Sequence, residues 1–78
     1  MDKKDMSAID AEYVQKFALA VRRRMEYLEI SQIEVSRRSG LTQCEVSTIL
    51  RGKTAVRITT VRKLAIALAM RPSELMDF

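Results

Sequence analysis

Gln43, Cys44, Ser47 and Thr48 fall in a short stretch with a helical apolar pattern, at spacings that place them together on one face, with Arg51 a turn further along. A glutamine carboxamide carries a donor beside an acceptor, and a hydroxyl can do either job. Such a set suits hydrogen bonding to a flat edge with a fixed donor and acceptor pattern. A base pair shows such an edge in the major groove of DNA, where glutamine can bond adenine through both amide atoms. The same residues do not suit turnover. The chain has no His, a single Cys, no nucleophile beside a base and no phosphate loop, so we expect no catalytic residue, no cofactor and no metal. For Cys44 three readings stay open: contact with a thymine methyl, an oxidation sensor, or a thiol tolerated at an exposed place, with sensing the least supported.

The cations are distributed unevenly. Residues 1–50 hold eight Lys/Arg and eight Asp/Glu, whereas residues 51–71 hold Arg51, Lys53, Arg57, Arg62, Lys63 and Arg71 and no acid. A net charge of +4 says little by itself, but a local excess of this kind is the footprint of a surface that meets phosphates. Lys53, Thr54 and Arg57 are the main candidates for phosphate contacts, and Arg51 can serve bases or phosphates. Backbone amides at helix starts near Gln32 and Thr60 offer further anion sites, because first-turn donors lack partners and the helix dipole is positive there. Arg22-Arg23-Arg24 is not a patch, since three consecutive helical residues point three ways, and Glu26 and Glu29 are expected to pair with parts of it.

Five helices are needed to position these groups. A chain of 78 residues makes one small domain, with residues 1–10 read as a flexible N-terminal segment and 11–78 as the folded part. The first helix starts at Ala8 or Ala11, capped by Ser7 or Asp10, and runs to Leu28 with Val14, Phe17, Ala18, Val21, Met25 and Leu28 as its buried stripe. Ser31-Gln-Ile-Glu34 reads as a capping box opening a second helix that ends before Gly40. Thr42-Gln-Cys-Glu45 reads as another, opening a third helix that carries Val46, Ile49 and Leu50 and stops at Gly52. Thr59 or Thr60 caps the fourth helix, with Val61, Leu64, Ala65 and Leu68 inward. Pro72 ends that run and starts a fifth helix over Ser73–Asp77.

The set Gln32, Glu34-Val35-Ser36, Gly40-Leu41, Val46-Ser47 and Ile49 resembles the helix-turn-helix of the lambda repressor and Cro family, also called XRE-like. The resemblance covers roughly residues 12–76 and is strongest over 32–53. It implies an all-α, five-helix, lambda-repressor-like domain with its helix-turn-helix at about 32–51. It also implies base reading at Gln43, Cys44 and Thr48, while Gln32 touches a phosphate and buttresses Gln43. Two residues depart from the family pattern: Ser36 stands where alanine is usual, its hydroxyl needing a carbonyl such as one a turn back, and Ala69 stands where glycine often ends the fourth helix.

The resemblance makes the expected function a sequence-specific, double-stranded DNA-binding transcriptional regulator, most simply a Cro or controller type repressor. The alternative is an antitoxin or adaptor whose main partner is another protein. One domain reads few base pairs, so a homodimer on a palindromic operator is expected, with Met70, Leu75, Met76 and Phe78 as its interface. No apolar run approaches the roughly 20 residues that span a bilayer, and the charged start Met1 to Asp5 leads into no signal-peptide core. The expected place is therefore the cytoplasm of a bacterium, phage-encoded or not, in association with the nucleoid and away from membranes.

Overall fold

The computed structural model describes residues 8–78, which form α1 (Ala8–Leu28), α2 (Gln32–Ser39), α3 (Gln43–Leu50), α4 (Ile58–Ala67) and α5 (Pro72–Leu75), with no strand. α1 is already helical at Ala8, the first described residue, so it does not wait until Ala11. Asp10 therefore lies in its first turn, while Ser7 and the rest of residues 1–7 fall outside the described residues. α2 packs on α3 and α4, α1 on α3 and α5, and α5 on α4. Their apolar faces meet in one core, in which Val21, Val35, Val46, Leu64, Leu68 and Leu75 are almost wholly removed from solvent. Each buried side chain of this kind contributes about 1.5–3 kcal/mol. Among the described residues no helix is long and apolar enough to cross a membrane.

The caps follow the sequence in part. At α3 the box is complete: the Thr42 hydroxyl accepts from the Glu45 amide at 3.0 Å, and the Glu45 carboxylate accepts from the Thr42 amide at 2.8 Å. At α2 only half of the expected box forms. The Ser31 hydroxyl accepts from the Glu34 amide at 3.2 Å, but the Glu34 carboxylate turns to Arg37 and Arg38, at 2.9 and 2.8 Å. Two guanidinium groups one turn along the same helix out-compete a single backbone amide. At α4 neither Thr59 nor Thr60 is the cap. The helix begins at Ile58 with Arg57 as its extended N-cap residue, and no side chain bonds the first-turn amides. α5 starts at Pro72 itself and ends at Leu75, with the Glu74 carboxylate accepting from the Arg71 amide at 2.8 Å.

A left-handed residue lies just beyond each of α1, α2, α3 and α4. Gly40, at φ +82°, closes α2 by donating to the Ser36 carbonyl. Ser36 is the small residue that lets α2 and α3 approach, and its hydroxyl donates forward across the turn to the Leu41 carbonyl rather than to a carbonyl one turn back. Glu29 and Ala69, both at φ +57°, end α1 and α4 in the same way: Ile30 donates to the Met25 carbonyl and Met70 to the Ala65 carbonyl, each spanning five residues. Ala69 thus adopts the conformation that glycine would take more cheaply, and α5 is reached without one.

Leu75 is 1% exposed and closes the core. A four-residue helix lays one side chain inward for each turn, and here that side chain is Leu75. Met70 is half-buried against the core, whereas Met76 and Phe78 are 49% and 45% exposed.

Candidate nucleic-acid interface

The orientation of α3 is fixed from both ends. Val46 and Leu50 are buried, Ile49 packs partly against the core, and the Thr42–Glu45 box holds the first turn. The remaining face turns outward at its N-terminal end, where Gln43 and Cys44 are exposed and Ser47 and Thr48 half-buried. Of the four expected base readers, the first two thus have open approach, and the other two lie deeper toward the body of the domain.

A shallow cleft of about 420 Å³ joins this face to the loop after α3 and the start of α4. Cys44, Thr48, Thr54, Arg57 and Thr60 all line it, so five of the expected contact residues converge from three segments. Lys53 and Thr54 are exposed in the loop, Arg51 is exposed at the end of α3, and Thr60 is half-buried in the first turn of α4. Because no side chain caps α4, its first amides keep their positive potential on the cleft side. Gln32 lies apart from this group. It is exposed at the start of α2 and lines a second cleft with Arg22, Met25, Glu29, Ile30 and Leu50. Among the described residues no hydrogen bond joins it to Gln43.

Glu45 is the acid in the main cleft. Hydrogen bonds from Thr42 hold its carboxyl below the usual range, and Lys63 and Arg57 lower it further by charge. The carboxylate therefore serves the cap, and the two cations offset its repulsion of an approaching phosphate. The sequence assigned Glu45 to the cap alone, since Lys63 is 18 residues distant and nothing local signals the proximity.

The triple-arginine run does something the sequence did not suggest. Arg22 donates from Nε and Nη2 to the Leu50 carbonyl, and Arg24 donates to the Leu68 carbonyl at 2.9 Å and to the Ala69 carbonyl at 3.2 Å. Two guanidinium groups of α1 thus close the C-terminal ends of α3 and α4, where carbonyls lack helical partners and the dipole is negative. The expected pairing with Glu26 and Glu29 does not form, because those carboxylates are exposed while the carbonyls lie within reach at part-buried places. Arg23 is left exposed to solvent.

Among the described residues no group of three or more His, Cys, Asp or Glu could hold a metal ion. No curated protein and no solved structure matches the chain. Residues 20–78 match the family model of the Cro/C1-type HTH DNA-binding domain.

Proposed function

This chain belongs to the Cro/C1-type helix-turn-helix DNA-binding domain family, and from that premise we propose that it is a sequence-specific transcriptional regulator, a repressor of the Cro or controller type, reading the major groove of double-stranded DNA with α3. One observation carries the reading: Gln43 and Cys44 stand exposed at the start of a helix whose other face is locked into the core. A helix fits the major groove, and its first-turn side chains reach base edges there. In this reading Gln43 and Cys44 read bases, with Ser47 and Thr48 behind them. Arg51, Lys53, Thr54 and Arg57, with the amides near Gln32 and Thr60, hold phosphates and set the docking angle.

A homodimer on a two-fold operator completes the proposal, with Met70, Met76 and Phe78 at or beside its interface. Repression then needs no further part, because an occupied operator excludes other proteins from the same DNA. Selection of bound duplexes from a random pool tests the whole reading. A two-fold site with half-sites about one helical turn apart is the expected product; a pool that never departs from random sequence contradicts it.

A further inference from the structure

The C-terminal end of α3 would repel DNA if the helix stood alone. Its last carbonyls carry the negative end of the helix dipole, yet this end leads directly into the loop of Arg51, Lys53, Thr54 and Arg57, the residues read as phosphate contacts. The turn itself closes part of it, as the Arg51 and Gly52 amides donate back to the carbonyls of Ser47, Thr48 and Ile49. The Leu50 carbonyl is covered from another helix, by Nε and Nη2 of Arg22. A full positive charge is thereby fixed where α3 by itself presents a partial negative one.

Those two bonds engage one edge of a guanidinium group that has five N–H donors. Among the described residues Nη1 meets no acceptor and no carboxylate pairs with Arg22, which is exposed. Beside it a cleft of about 260 Å³ opens between α1 and the end of α3, with Gln15 and Leu19 on one wall and Arg51 and Gly52 on the other. Arg51 is likewise exposed, and no described carboxylate pairs with it. The described residues lining this cleft include no acid; Glu26 and Glu29 lie with Gln32 in a separate cleft that Arg22 also borders. Gly52 keeps the walls close, since a Cβ there would lie 3.2 Å from the Ala18 Cβ.

We infer that Arg22 and Arg51 clamp one backbone phosphate of a bound DNA duplex in this cleft. Two guanidinium groups beside one cleft without an acid repel each other, and an anion between them replaces that repulsion with two attractions. A phosphodiester suits the place, because its two unesterified oxygens can each accept from a planar fork of N–H donors. The duplex is the source of the phosphate, since the cleft lies at the end of the helix proposed to read bases and at the start of the loop proposed to hold the backbone. Arg22 then has two tasks: one edge cancels the Leu50 carbonyl, and the other meets the phosphate. This inference rests on the DNA reading above and extends its phosphate contacts to α1.

Anisotropy titrations of the full chain at several salt concentrations test it on a duplex of random sequence, since a phosphate contact does not depend on sequence. Circular dichroism confirms that each variant is folded at the assay temperature. Arg22→Gln and Arg51→Gln are each expected to weaken binding about tenfold, the scale of a hydrogen bond between charged groups. The double variant is expected to lose less than the product of the two losses. It should flatten the slope of log affinity against log salt by about one unit, because one phosphate is released rather than two. Arg22→Lys keeps the charge and is expected to keep the wild-type slope. Wild-type affinity in either glutamine variant overturns the inference, and the exposed place of Arg51 keeps its variant informative should Arg22→Gln not fold. So does a double variant whose slope is unchanged, which confines Arg22 to the fold, or flattened by two units, which puts the arginines on separate phosphates. A wild type that binds no duplex at low salt fails the DNA reading as a whole, whereas binding by the wild type with unchanged variants fails the clamp alone.

Discussion

The Arg22 guanidinium donates two hydrogen bonds, at 3.1 and 2.8 Å, to the carbonyl oxygen of Leu50, the last helical residue of α3. The bonded residues are 28 positions apart, so the contact ties the long first helix to the end of the helix proposed to read bases. Arg22→Met keeps much of the aliphatic stem and removes both donors. It is expected to cost about 1–2 kcal/mol, on the scale of a charge-assisted hydrogen bond at a part-buried place. Arg22→Lys should recover part of that loss, since an ammonium can still donate to the same oxygen. Thermal unfolding followed by circular dichroism checks both; wild-type stability in the methionine variant contradicts the role.

Gly40 and Gly52 both have positive φ, at +82° and +69°, but only one of them is crowded. A Cβ at Gly40 would meet nothing within 4 Å, so Gly40→Ala carries only the backbone cost, about 1–2 kcal/mol. A Cβ at Gly52 would lie 3.2 Å from the Ala18 Cβ and 3.4 Å from the Gln15 Cα, on the unyielding body of α1. Gly52→Ala adds this steric cost to the backbone cost and is expected to destabilise clearly more than Gly40→Ala. Denaturant titration of the two variants gives the order, and equal losses contradict the close approach of α1 to the end of α3.

How much of this was legible in the sequence follows from how local each signal is. The Thr42–Glu45 box, the turn at Gly40 and the inward set Val35, Val46, Ile49 and Leu50 are carried by short-range spacing, and they appear as read except that Ile49 is only partly buried. Arg22 and Arg24 could not be placed, because their partners are backbone carbonyls that every residue possesses and that only the tertiary fold brings near. Glu34 faced a choice between one amide and two guanidinium groups, and the spacing of the box cannot express that competition. Which of Leu75, Met76 and Phe78 seals the core does not follow from the sequence, since a four-residue helix is too short for a period to say which side is inward. At the interface, the exposure of Gln43 followed from the apolar pattern of α3, while the approach of Lys63 to Glu45 did not follow from any pattern.

Acid should weaken the fold by a route that two residues define. The carboxyls of Glu34 and Glu45 are both held below their ordinary range, the first chiefly by its bond with Arg38 and the second by its bonds with Thr42. A carboxyl lowered in the folded state stabilises above its unfolded value and loses that contribution as pH falls through the folded value. The melting temperature is therefore expected to fall as pH drops below the ordinary glutamate range. The double variant Glu34→Gln, Glu45→Gln should start lower at neutral pH and decline less. Parallel declines in the two proteins contradict the assignment.

Lys53 stands exposed in the loop beside α3 and is read as a phosphate contact. Lys53→Ala is expected to weaken binding to every duplex alike and to flatten the slope of log affinity against log salt by about one unit. Anisotropy titrations at several salt concentrations measure it, and an unchanged slope removes Lys53 from the contact set.

The central claim is that the amide of Gln43, exposed at the first turn of α3, meets a base edge. Comparison of Gln43→Ala with the wild type, on a selected duplex and on a random duplex in the same buffer, measures this directly. The account predicts a loss of about 5- to 150-fold on the selected site, equivalent to the 1–3 kcal/mol of a bidentate base contact, and almost none on random DNA. Equal loss on both duplexes, or no loss on either, contradicts it.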